Sequence, residues 1–288
     1  MRWSSRGPSR NVEDRRGQRP AYRRGSALGC GGFLLILLVS YIMGWNPIPL
    51  LLMSSGGGQP SQPTGFQEGP VQSTAEEDEL VAFVSFVLDD AQAIWARYLP
   101  QYGVQYRDAK LVIFRDSVAS ACGFASAATG PFYCPADEKV YIDLGFYDEL
   151  RQRFGASGDF AQAYVLAHEI GHHVQKITGI EQEIRQRQRA RPRMVNDLSV
   201  LMELQADCLA GLWGYSTARR ELLEAGDIEE GLNAAASIGD DRIQRMSGQF
   251  VNPDAFTHGS SAQRVEWFRR GLETGDLDAC DTFGAAGL

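Results

Sequence analysis

Histidine is scarce in this chain, with four residues among 288. Any site built on imidazole must draw on His168, His172, His173 and His258. Positive charge is scarce too, once the N-terminal segment is set aside. Residues 1–24 carry eight arginines against Glu13 and Asp14, a net of +6, so the −8 of the whole chain leaves −14 for the remainder. An acidic body leaves no basic face to neutralise phosphates, which argues against nucleic acid as the partner. No internal repeat is present. No small-residue cleavage site follows the apolar stretch near the N-terminus, which argues against a removed signal peptide. Otherwise the composition is that of a globular protein, 44% hydrophobic and 22% charged.

Composition divides the chain into four parts. Residues 1–27 are rich in Arg, Ser, Gly and Pro with no apolar period, and are expected to form a disordered basic tail. Residues 28–53 are the apolar stretch, continuous hydrocarbon from Phe33 to Val39 and extended by Tyr41, Ile42, Met43 and Trp45. Roughly 20 apolar residues cross a bilayer as a helix. The stretch therefore predicts a single transmembrane anchor, with its helix over residues 28–46 and Asn46-Pro47-Ile48-Pro49 ending it. Arginines before the span place the N-terminus in the cytoplasm, and the body outside it at the cell membrane. Residues 54–74 read as a flexible linker, and 75–288 as the folded domain.

Cysteine supports export. Cys122, Cys134, Cys208 and Cys280 lie in the body and allow three pairings. Cys122–Cys134 is favoured, because the short glycine-containing segment between them can double back. Cys208–Cys280 follows by elimination. Disulfides persist in oxidising compartments. The alternative is four buried free thiols.

Within the domain, Glu76 to Leu99 shows helical apolar spacing, with acids first and Arg97 last. Leu111–Phe114 and Val140–Leu144 read as short strands, and residues 117–134 as small and turn-prone. Helices are predicted from Asp159 to Gly179, from Asn196 to Trp213, from Asp227 to between Ile238 and Gln244, and from Ala262 to Glu273. Residues 180–193 read as an exposed polar piece. Capping boxes are expected at Asp159/Gln162, Asp227/Glu230 and Ser260/Gln263.

The first of these helices holds His168-Glu169-Ile170-Gly171-His172, an H-E-x-x-H sequence. Residues four apart share a helix face, so both imidazoles can point at one metal ion. Glu169 sits about 100° round the same turn and can take a proton from water. A catalytic zinc site wants three protein ligands and an open position. The best third ligand is Glu203 on the next long helix. Asp207, one turn later, would accept the free N–H of a ligating histidine and fix its tautomer. A solvated acidic face is the plainer reading of Glu203 and Asp207, but both interrupt an Ala/Leu/Cys-rich segment, where an unpaired charge is costly. His173 faces away from the pair. His258, at a turn before the last helix, is a candidate donor to an oxyanion. Arg264 is a candidate partner for Asp207 or Glu203.

His168-Glu169-Ile170-Gly171-His172 with Glu203-Leu204-Gln205-Ala206-Asp207 is similar to the gluzincin pattern. The stretches Gly130-Pro131-Phe132-Tyr133-Cys134-Pro135, Val140-Tyr141-Ile142-Asp143 and Thr257-His258-Gly259-Ser260 with Gln263-Arg264 look like the bacterial putative neutral zinc metallopeptidase family. The resemblance covers residues 75–285. It implies an α+β, mainly helical zincin-like domain with a small β-sheet, here preceded by the single transmembrane helix. It further implies Zn2+ as cofactor, with His168, His172 and Glu203 as ligands and Glu169 as base.

Two functions follow as expectations. One is a zinc metalloendopeptidase acting on peptides or proteins outside the cytoplasm, with Glu169 and His258 catalytic. The other is a membrane-tethered binding or assembly protein whose zinc is structural or vestigial. Structural sites are closed by four protein ligands, and no obvious fourth stands in the sequence, which favours the enzyme.

Overall fold

The computed structural model describes residues 1–5, 7–21 and 65–288. Its strands are β1 (Val12–Asp14), β2 (Gln18–Ala21), β3 (Gly65–Glu68), β4 (Lys110–Phe114), β5 (Ser117–Ser120), β6 (Gly123–Ser126), β7 (Phe132–Cys134) and β8 (Lys139–Asp143). Its helices are α1 (Ala75–Tyr98), α2 (Gly145–Gln152), α3 (Asp159–Ile177), α4 (Ile180–Ala190), α5 (Val195–Arg219), α6 (Asp227–Ser237), α7 (Asp240–Met246), α8 (Ser261–Thr274) and α9 (Thr282–Ala285). Met1–Arg16 and Val71–Leu288 form one compact unit, and Gly17–Pro70 a second. In the second unit β2 and β3 pair antiparallel, with Gln18 opposite Glu68.

The main sheet has the order β1-β4-β8-β7. The first three strands are parallel, and β7 runs antiparallel to β8. Side chains of a strand alternate between faces. Leu111, Ile113, Val140 and Ile142 accordingly enter the main core, while Val112, Phe114 and Tyr141 build a smaller cluster on the opposite face. Sheets covered on both faces are read as near-continuous apolar runs, as both central strands are.

Helix α1 starts with a capping box between Thr74 and Glu77. It buries Val84, Val87, Leu88 and Trp95 in the core. Helix α3 is buried on nearly every side from Phe160 to Gln175. Glycines set how closely its neighbours approach. A Cβ on Gly171 would stand 3.0 Å from the Ala206 carbonyl oxygen, so α3 and α5 cross in close contact there. Between α5 and α8 the approach is closer still. A Cβ on Gly211 would meet the Phe268 carbonyl oxygen at 2.1 Å, and one on Gly271 the Cys208 carbonyl oxygen at 1.9 Å. Disulfides join Cys122 to Cys134 and Cys208 to Cys280.

The single transmembrane helix, and the membrane as partner, are not supported. No helix among the described residues is long and apolar enough to cross a membrane. The predicted span, residues 28–53, lies outside the described residues. The topology drawn from it fails on separate grounds. A single crossing would put the N-terminus in the cytoplasm and the folded domain outside. Here β1 hydrogen-bonds alongside β4, Val12 opposite Leu111, so residues on both sides of the apolar stretch share one sheet. Nor are the first residues a disordered tail. Trp3 packs edge-on to Phe83, and Arg16 is buried and paired with Asp14.

Smaller differences have local causes. Residues 180–190 are helical, because Ile184 and Gln188 are buried and Glu181–Arg185 and Glu183–Arg187 pair across one turn. The predicted third helix breaks into α6 and α7 at Gly239, where a Cβ would strike the Ser261 backbone nitrogen at 2.3 Å. Two expected capping boxes are absent. The Glu230 carboxylate, instead of closing on its own helix, accepts from the Phe160 N–H at the start of α3. The Ser260/Gln263 box is present.

Candidate metal centre

Helix α3 projects His168 and His172 from one face, and α5 brings Glu203 against them. His168 Nε2 lies 3.1 Å from Glu203 Oε2, and His172 Nε2 lies 3.5 Å from Oε1. One ligand atom from each residue falls within 4.8 Å of the others, a spacing able to hold a metal ion.

The hydrogen bonds behind each ring fix its tautomer. His168 Nδ1 is 2.8 Å from Asp207 Oδ1, and a carboxylate only accepts, so Nδ1 carries the hydrogen. His172 Nδ1 is 2.9 Å from Gln175 Oε1, while the amide nitrogen of Gln175 donates to the Met202 carbonyl and to Gln205. With Nδ1 committed in this way, both rings aim Nε2 at the Glu203 carboxylate. Three electron-rich atoms facing one another repel unless a cation or a proton lies among them.

Asp207 is fully buried and saturated. Besides His168 it accepts from the Tyr164 hydroxyl and from Arg264, whose Nε and Nη2 lie 2.8 and 2.9 Å from its two oxygens. Arg264 is itself buried, on α8. The glycine contacts between α5 and α8 allow this pairing across 57 residues of sequence.

Charge in the cluster follows from these contacts. Burial works against a charged His168, but Asp207 and Glu203 outweigh it and raise its pKa to about 10. Burial likewise opposes ionised Glu203, yet His172 and His168 hold its carboxyl well below the usual carboxylate range. The cluster thus demands positive charge at its centre. Burial pushes the Glu169 carboxyl up. Its carboxylate makes no hydrogen bond among the described residues, and it lines the cleft.

A cleft of about 570 Å³ opens over these groups, and His168, Glu169, His172, Glu203 and His258 all line it. His258 is half-exposed. Its Nδ1 lies 3.1 Å from Asp240, whose hydrogen bond raises the imidazole pKa. His173 stays out of the cluster. Fully buried, it donates from Nε2 to the Arg107 carbonyl and accepts at Nδ1 from Tyr133 on β7. It thereby ties the outer strand of the sheet to α3.

Sequence reasoning missed Tyr164 and Gln175. The signal for both was helical spacing: Tyr164 precedes His168 by four residues, and Gln175 follows His172 by three.

An α+β domain with two imidazoles and a carboxylate converging under a cleft defines a class, that of proteins built to hold a divalent metal beside a free carboxylate. The chain belongs to the family described as Putative neutral zinc metallopeptidase, whose model matches residues 1–283. Uncharacterized protein YpfJ of Escherichia coli (strain K12) is 47% identical over 292 residues, 99% of each chain. Uncharacterized protein Rv2575 of Mycobacterium tuberculosis (strain ATCC 25618 / H37Rv) is 42% identical over 211 residues, 69% of each chain. No solved structure matches the chain.

Proposed function

We propose that the protein hydrolyses peptide bonds in peptides or proteins as a zinc-dependent endopeptidase. His168, His172 and Glu203 would hold the metal, with Glu169 as the general base. The observation that carries this reading is the convergence of both Nε2 atoms on the Glu203 carboxylate. Two imidazole nitrogens and one carboxylate oxygen are a donor set that suits zinc, and three protein ligands would leave room for water or substrate from the cleft.

When bound, zinc supplies Lewis acidity toward a scissile carbonyl and acidifies water. The chain's own residues do the rest. Glu169, pushed up by burial and unpaired, takes a proton from the attacking water and delivers it to the departing amine nitrogen. Asp207 fixes the tautomer of His168, as Gln175 does for His172. His258 stands on the cleft with a raised pKa, a donor suited to a developing oxyanion. The two disulfides favour an oxidising compartment as its place of action.

The open cleft argues against a structural zinc, which would be closed by a fourth protein ligand. The test is Glu169→Gln. This variant should bind zinc as the parent does while turnover of a peptide mixture, read by mass spectrometry, falls at least about 100-fold. Equal cleavage by both proteins would refute the mechanism.

A further inference from the structure

The lining of the cleft is mixed. Helices α4 and α5 contribute Glu181, Gln188 and Ser199 beside the apolar Ile184 and Met202. A second set is wholly apolar: Phe146 from α2, Phe154 just beyond it, Val165 from α3, and Ile238 and Ile243 around the bend between α6 and α7. None of these five can ionise. Phe146, Ile238 and Ile243 are only part-buried, so each has hydrocarbon left to cover.

Contacts fix this apolar lobe beside the candidate centre. Val165 lies one turn before His168 and Glu169 on the same helix, at the i, i+3 and i, i+4 spacings that share a face. The Ile238 carbonyl accepts from Arg264 Nη1 at 3.4 Å, and Arg264 grips Asp207. Arg242 Nη2 donates to the Phe154 carbonyl at 2.7 Å, drawing α7, and with it Ile243, toward the end of α2. Phe146 packs 3.7 Å from the Cβ position of Gly130, in the loop that leads into β7. The lobe is thus walled by three helices and that loop. Glu149 and Arg153, which also line the cleft, carry opposite charges, and Arg153 lies 5.4 Å over the Phe154 ring, so this pair selects for neither sign.

We infer that this lobe receives one bulky apolar side chain of the substrate, at a residue adjoining the scissile bond, and that Ile243 and Phe146 set the preference. This rests on the peptidase reading above. Burying a Leu or Phe side chain, against leaving Ala there, should favour the bulky substrate roughly 10- to 100-fold in kcat/KM.

The experiment uses the full chain with zinc and two peptides that differ only in Phe or Ala at the position mapped by library cleavage. The parent should prefer Phe by that factor. Ile243→Asp, which places a charge in the lobe, should erase most of the preference. Ile243→Trp, which fills the lobe without charge, should shift it toward Ala. Binding of labelled peptides to Glu169→Gln, read by fluorescence anisotropy, should rank Phe above Ala without any turnover. Cleavage by the parent with a Phe-to-Ala ratio near one, or a ratio that both Ile243 variants leave untouched, would overturn the lobe assignment and leave the peptidase reading standing. Cleavage by the parent no faster than by Glu169→Gln would overturn both.

Discussion

Asp207→Asn keeps the shape of a fully buried side chain and removes its charge. The cost can be worked from its neighbours. Arg264 is 3% exposed and finds its carboxylate partner in Asp207, through two hydrogen bonds. Breaking a buried ion pair from one side leaves an uncompensated charge and costs about 3–5 kcal/mol. Arg264→Met breaks it from the other side at a similar cost. The double variant leaves no orphaned guanidinium or carboxylate, so its loss should fall short of the sum of the single losses by about 2–3 kcal/mol. Urea unfolding of the zinc-free protein, followed by circular dichroism, measures all three. A second consequence reaches the metal. His168 loses the anionic acceptor behind its Nδ1–H, and zinc affinity, measured by competition with a chromophoric chelator, should fall roughly 10- to 100-fold in Asp207→Asn. Additive losses, or unchanged zinc affinity, would refute the argument that α8 holds the ligand in place through Arg264 and Asp207.

Two further outcomes follow from the same geometry. His168 has its pKa raised from 6.5 to about 10 in the metal-free cluster, so near neutral pH it holds a proton that a metal ligand must lose. Zinc binding at about pH 7.5 should release about one proton per chain, read by titration calorimetry in buffers of different ionisation enthalpy. Release near zero would contradict the electrostatics described here. The sign of the stability effect follows: the raised pKa stabilises the zinc-free fold fully below pH 6.5 and is lost as pH rises through about 10. Gly271→Ala places a Cβ 1.9 Å from the Cys208 carbonyl oxygen, an overlap with backbone that no rotamer relieves. It should cost about 3 kcal/mol, lowering Tm by roughly 6–12 °C in a chain of this size, and a calorimetric scan showing no change would exclude the close α5–α8 approach.

Much of the candidate site could be read in the sequence because it is written in helical periods. His168 with His172, and Glu203 with Asp207, are i, i+4 pairs, and a helix alone puts each pair on one face. Tyr164 and Gln175 obeyed the same rule and could have been read by it. Arg264 could be offered only as a partner for either acid, since 57 residues separate it from Asp207 and no local rule spans that distance. The N-terminal segment misled for a different reason. Its arginines resembled those of a solvated tail, yet Arg15 and Lys139 meet Glu13, and Arg16 meets Asp14. Charges that cancel in the fold look like excess charge when the chain is read linearly. Composition therefore pointed to disorder where β1 joins the sheet.

The sequence by itself determined which faces of α3 and α5 carry the candidate ligand atoms, because the period of a helix is a local property of the backbone. That these faces meet was decided only by tertiary structure. Gly171 lets α5 come against α3, and Gly211 and Gly271 let α8 come against α5, so an arginine from one helix fixes an aspartate on a second and, through it, a histidine on a third. The same distinction governs the N-terminus. Its charge could be counted from the sequence, but its place beside β4 depends on partners more than 90 residues away.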